Sequence, residues 1–166
     1  MTAIRDLDPC RDLPVECDAL TAVGWLTRES RFETGSAPEP FFRKLSELCA
    51  MPWQPMVAAG AHACELCQFD GPQFRDNLFV PYSGRIYAAP AAIIHYVAAH
   101  WYRPPQIFMD AVLACPPISS MAYKKALLAN GGRNLVRAVG AWNTCGGHGD
   151  PVTTDVDTGL PGQAGQ

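Results

Sequence analysis

The chain has 166 residues, 48% hydrophobic and 17% charged, with a formal net charge of −3. That is enough apolar material for one domain with a real core. The charge balance argues against a nucleic-acid binder, whose basic footprint should exceed the Lys124-Lys125 pair that is the longest cluster here.

Residues 1–16 are polar and carry Pro9 and Pro14, which predicts an irregular N-terminal arm. They show none of the apolar run of a secretory leader, and no later stretch reaches the roughly 20 apolar residues of a membrane-spanning helix. A cytoplasmic location is therefore expected. Seven cysteines in a reducing compartment point to metal rather than to disulfides.

Leu20 to Leu26 (LTAVGWL) suits a buried strand, with Gly24 marking a bulge or a close approach and Trp25 in the core. Ser36-Ala37-Pro38-Glu39 has the chemistry of a helix start, and Phe41, Phe42, Leu45, Leu48 and Cys49 fall on one face of a helix over 38–50. Pro52 and Pro55 stop it, with Trp53 between them as a packed plug. Residues 56–63 are small and apolar and make an extended approach to Cys64.

Asp70-Gly71-Pro72 is turn chemistry. Residues 78–82, Ser83-Gly84 and 85–88 then read as a β-hairpin, in which Pro81 limits central pairing. Pro90 fits the first turn of a helix that runs to about Trp101 and is closed by Pro104-Pro105, with Ile93, Ile94 and Val97 towards the core. Short helices follow over 105–114 with Ile107, Phe108, Ala111 and Val112 inward, over 119–129 with a serine cap, and over 134–142. Residues 144–166 are rich in Gly, Pro, Thr and Asp and read as a disordered tail, leaving 17–143 as a single domain. No internal repeat is visible.

The chemistry concentrates between His62 and His100. Cys64 and Cys67 form Cys-x2-Cys, and after 27 residues His95 and His100 form His-x4-His. Two thiolates and two imidazoles are a complete tetrahedral set, so one structural Zn2+ per chain is expected on Cys64, Cys67, His95 and His100. Histidines five apart differ by about 140° on an ideal helix. The last turn must therefore bend or loosen for both to meet one ion.

The order knuckle, hairpin, helix resembles a treble-clef zinc finger. With HxCxxC from His62 and PxxxxHYxxxHxYxPP from Pro90, the stretch from about Leu20 to Cys115 is similar to a family of small uncharacterised bacterial proteins carrying such a site. That resemblance implies a metal site in a mixed α+β fold and supplies no reaction.

Alternatives sit beside this reading. His62 would fall on the same side of an extended strand as Cys64, as a replacement ligand, a support or a general base, against the plainer role of a hydrogen-bonded surface histidine. Cys64-Glu65-Leu66-Cys67 as a redox pair lacks the following helix, because Asp70-Gly71-Pro72 breaks it. A nucleoside deaminase would need His-x-Glu before Pro-Cys-x2-Cys, and neither half is present. Cys145 and His148 could join Cys10 and Cys17 in a second site, though the glycines between and the long separation argue against it. Tyr96, Trp101 and Tyr102 are expected to pack, and Arg103 to be exposed and usable for an anionic partner.

Three functions follow. The first is a cytoplasmic zinc-binding module acting through protein contacts. The second is a metal-dependent hydrolase or nuclease of treble-clef type using His62 with Asp70 or Asp76. For that reading the hairpin lacks a His-His or Asp-His pair, and Asn77 is a weak substitute. The third is weak nucleic-acid binding through Arg75, Arg85, Arg103, Lys124 and Lys125.

Overall fold

The computed structural model describes residues 3–56 and 61–145. Part of the expected approach over 56–63, and the expected tail from residue 146 on, lie outside the described residues. The elements are β1 (Leu20–Ala22), α1 (Glu39–Ala50), β2 (His62–Ala63), β3 (Gln73–Phe74), β4 (Asn77–Tyr82), β5 (Arg85–Pro90), α2 (Ile93–Ala99), α3 (Gln106–Ala114), α4 (Met121–Ala129) and α5 (Arg133–Cys145). This is a mixed α+β architecture.

The sheet has the order β1-β5-β4. β4 and β5 form the expected hairpin, with Ser83 at φ 49° and Gly84 at φ 78°. Those are the left-handed values that a two-residue turn needs to match the strand twist. β1 lies parallel to β5, with Leu20 opposite Ile86 and Ala22 opposite Ala88.

The strand expected over 20–26 is shorter than its apolar run. Gly24 stands at φ 72°, and a Cβ on it would lie 3.0 Å from Ile93 Cδ1, so the chain turns away while passing close to α2. Trp25 is buried and donates its indole N–H to the Ala88 carbonyl at 2.8 Å.

Both sheet edges are covered. Along β1 the arm docks through Leu7 N–H to Ala22 O at 2.8 Å, Ala22 N–H to Asp8 O at 2.8 Å and Cys10 N–H to Leu20 O at 3.1 Å. On β4 alternate residues turn their backbone groups outward. Gln54 takes both groups of Asn77, donating to its carbonyl at 2.8 Å and accepting its N–H at 3.2 Å. Tyr123 O–H donates to Phe79 O at 2.6 Å, and Pro81 has no N–H to offer. An edge closed in this way offers little to a further strand.

Pro90 departs from expectation. It is the last residue of β5, opposite Asn77, and α2 begins only at Ile93. Ala91 N–H continues the ladder to Asp76 O at 2.8 Å, so the chain is still extended where a helical first turn was expected. The core side of α2 also differs: Ile93 and Tyr96 are the buried residues, with Ile94 and Val97 only partly covered.

The remaining helices follow their patterns closely. α1 buries Phe41, Leu45 and Leu48, and its N-cap is Pro38. α3 buries Phe108, Met109, Ala111 and Val112 and leaves Ile107 40% exposed, contrary to the expected inward position. The Ser120 hydroxyl accepts from Tyr123 N–H and caps α4. Trp53 packs edge-on against Phe79 and Tyr123 at centroid distances of 6.2 and 6.1 Å, as a plug between sheet and helix. α5 runs on to Cys145, beyond the expected end at residue 142.

Candidate metal centre

Three pieces of local structure bring the four expected ligands together. The first is the β2–β3 hairpin, in which His62 pairs with Phe74 and Ala63 with Gln73. Cys64 follows directly, and its N–H donates to Pro72 O at 3.1 Å, closing the loop that carries Cys64 and Cys67. Gly71 makes that closure sterically feasible. A Cβ there would stand 2.8 Å from Cys64 O, 2.9 Å from Cys64 Cβ and 3.2 Å from Cys67 Cβ. Arg28 steadies the loop from outside, donating Nε–H to Glu65 O at 3.3 Å.

The second piece is α2, which carries His95. The third is the way α2 ends. His100 is the C-cap, at φ −115° and ψ 9°. The Tyr96 carbonyl accepts the N–H of His100 at 3.0 Å and also that of Tyr102 at 3.1 Å, while Trp101 between them sits at φ 56°. This is the loosened last turn that His-x4-His requires. It swings His100 back over His95, and the two rings meet edge to face at 5.0 Å. Gly35 N–H to Trp101 O at 2.9 Å and Arg103 N–H to Glu33 O at 2.9 Å hold the chain beyond the turn.

The result is one convergent set. Cys64 Sγ lies 3.3 Å from His100 Nε2, and Cys67 Sγ lies 3.3 Å from His95 Nε2 and 3.5 Å from His100 Nε2. The two Nε2 atoms are 3.2 Å apart. All four ligand atoms fall within 4.8 Å of one another, so the group can hold a metal ion. Cys64 is buried and the other three are half-buried. Phe74 packs on His95 at 5.9 Å and Tyr96 on His100 at 6.4 Å, giving the cluster an aromatic floor.

By themselves, Cys67 and His95 of the cluster favour their uncharged forms. Burial, helped by the Cys64 thiol beside it, pushes the Cys67 thiol up. Burial, with His100 next to it, pushes His95 down, which keeps its lone pair available. Burial and the neighbouring Cys64 raise Tyr96 to about 12, so its hydroxyl stays protonated. A bound divalent cation reverses the thiol preference, because coordination deprotonates a thiol outright.

Other candidates from the sequence are not part of this group. His62 sits on β2, and Asp70 and Asp76 are exposed on the loops either side of β3. Among the described residues this is the single His/Cys/Asp/Glu group with metal-holding geometry. Cys10 is buried in the core, and Cys17 donates its S–H to Gly131 O at 3.5 Å. His148 lies outside the described residues. The six described free cysteines include Cys49, held at about 12 by burial, and Cys10 and Cys115, held at about 11 by burial first. These three behave as small hydrophobes.

Sequence reasoning missed the structural role of Asp6. Its carboxylate accepts Gly24 N–H at 2.8 Å and Tyr102 O–H at 2.7 Å, tying the arm to the segment that follows His100. An isolated acid in a polar arm carries no local signal of that.

No described helix is long and apolar enough to cross a membrane. Comparison with curated proteins finds no match, and neither does comparison with solved structures. A family model does match residues 2–113, which takes in the arm, the sheet, the knuckle and all four clustered residues. The chain belongs to that family, described as a domain of unknown function, DUF7919.

Proposed function

We propose that this chain is a zinc protein whose centre is structural, and that it works as a binding module rather than as an enzyme. One observation carries the reading. For zinc, bonds of about 2.3 Å to sulfur and about 2.0 Å to nitrogen at the tetrahedral angle put neighbouring S and N donors about 3.5 Å apart, and two N donors about 3.3 Å apart. The contacts here are 3.3, 3.3 and 3.5 Å for S···N and 3.2 Å for N···N. Cys64, Cys67, His95 and His100 would hold the ion, and it would supply a cross-link between the knuckle and the end of α2.

In this reading the knuckle after β2, the β4–β5 hairpin and α2 form a treble-clef-like unit. A closed set of two thiolates and two imidazoles is the structural kind of zinc site, since a catalytic one keeps a position for water. The hydrolase alternative needs such a position, and no observation favours it over the closed centre. We take the chain to be cytoplasmic, where the free thiols described at Cys10, Cys17, Cys49 and Cys115 are at home. Its partners are proteins, met through exposed aromatics such as Trp101 and Phe69, which flank the ligands in sequence.

The test is metal content by mass spectrometry on untagged protein, beside Cys64→Ser and His95→Ala. About one zinc per chain, lost in both variants, is the expected result. Metal retained in His95→Ala would bring another group into the set and reopen an incomplete site. Folded protein without metal would overturn the reading. Affinity capture with wild type and Trp101→Ala in parallel addresses the module. A partner kept by the first and lost by the second, at equal zinc content, is expected.

A further inference from the structure

The arm, residues 29–33 of the loop before α1 and the segment after α2 line an open cleft of about 750 Å³. Its polar lining includes Arg5, Arg31 and Arg103, with Glu29 and Glu33. Phe32, Ile4, Leu26 and Pro105 supply apolar wall. The size and the mixture suit a small ligand with one apolar part and a few fixed polar contacts.

Arg103 is the best-held of the three guanidiniums. Its backbone N–H is fixed by Glu33 O, and its Nη1 donates to Ser36 O at 3.3 Å. Gly35 lets the side chain lie flat, since a Cβ there would approach Arg103 Cδ to 3.3 Å. One edge of the fork is thereby anchored, and the other donors are left to point elsewhere. The remaining donors of this exposed guanidinium can meet a carboxylate or phosphate two-pronged.

Among the described residues none of the three arginines forms an ion pair with a carboxylate. Among the described residues the Lys or Arg contact to a carboxylate is Lys44 with Glu47 at 3.7 Å, away from the cleft. Asp6, which also lines it, is engaged by Gly24 and Tyr102. Glu29 and Glu33 are exposed and would repel a polyanion, as would the net charge of −3.

We propose that this cleft binds a small molecule carrying one oxyanion group, a carboxylate or a phosphate monoester, on an apolar body. Arg103 anchors the oxyanion, Arg31 and Arg5 complete its surroundings, and Phe32 packs on the apolar body. The proposal goes beyond the binding-module reading, whose partners are proteins, and stands independently of the metal centre.

The experiment is calorimetric titration of full-length, zinc-loaded protein with phenylphosphate and with phenylacetate, with benzyl alcohol as the uncharged control. Saturable binding of at least one charged probe is expected, with none for benzyl alcohol. Arg103→Ala and Arg103→Lys should each weaken it about tenfold or more, because an ammonium cannot reproduce the two-pronged contact. Response to phenylphosphate alone assigns a phosphate ester, and response to phenylacetate alone a carboxylate. If Arg103→Ala does not fold, Arg31→Ala replaces it, since that exposed side chain lines the cleft from a surface loop.

The proposal is overturned if neither charged probe saturates below about 10 mM. It is equally overturned if binding is unchanged in the arginine variants. Zinc is measured on the same samples. Probe binding by zinc-free folded protein would sink the metal reading and leave this one standing, and zinc-loaded protein that ignores both probes would do the reverse.

Discussion

Gly71→Ala tests the knuckle without touching a ligand. The added methyl would stand 2.8 Å from Cys64 O, 2.9 Å from Cys64 Cβ and 3.2 Å from Cys67 Cβ. Two of those atoms belong to the residue that supplies one donor, and the third to the residue that supplies another. No flexible side-chain end is available to move aside. The loop must open by several tenths of an ångström, which shifts both sulfurs relative to the imidazoles. Overpacking of this kind costs about 1–3 kcal/mol. If that strain is confined to the closed, metal-loaded form, metal affinity falls by about 5- to 150-fold, at tenfold for each 1.4 kcal/mol. Competition with a chromogenic chelator at pH 7 reads the affinity, and circular dichroism reports the fold. Gly84→Ala is the control. It sits at φ 78° with open space around its Cβ, so it should cost stability at the hairpin turn and leave metal affinity unchanged. Wild-type affinity in Gly71→Ala would refute the close packing of the knuckle on which this reasoning depends.

Further expectations concern the frame around the centre. Tyr102→Phe leaves Asp6 Oδ2 without its 2.7 Å partner and should lower stability by about 1–3 kcal/mol in urea unfolding, with an unchanged m-value. Ser120→Ala removes the cap of α4 and should cost about 1 kcal/mol, read as a lower Tm with any metal content unaffected. Burial holds Cys10 and Cys115 at about 11 and Cys49 at about 12, so native protein at pH 8 should resist iodoacetamide at these three positions by mass spectrometry. Because those folded values lie above the ordinary thiol value of 9.0, their contribution to stability is whole below that pH. It is lost as pH rises from there towards 11–12, so the alkaline arm of a Tm-against-pH curve should fall in that window.

Elements whose signal is local were legible in the sequence. Ser83-Gly84 between two apolar runs defined the hairpin, since few residue pairs take two left-handed conformations. Helical periodicity exposed the buried face of α1, and the Ser119-Ser120 pair marked the start of α4, whose cap is Ser120. The spacings Cys-x2-Cys and His-x4-His identified the four residues that cluster, and the five-residue gap even required the loosened end of α2 that Trp101 provides. These readings depend on chemistry carried by a few neighbouring residues.

Tertiary structure decided the rest. Pro90 is suited both to a strand end and to a helix start. The Asn77 pairing and the Ala91 bond to Asp76, which no neighbouring residue encodes, selected the strand. Ile107 fell outward because the axis of α3 was set by packing against α1 and β4, not by its own apolar content. The arm read as irregular from its polar residues and prolines, and nothing in it foretold that its backbone groups would find partners along β1 and its Asp6 would find Tyr102, 96 residues on. A backbone hydrogen bond looks the same whatever side chain lies beside it. Long-range pairings therefore leave almost no trace in composition, and they fixed where the metal cluster and the arginine cleft came to lie.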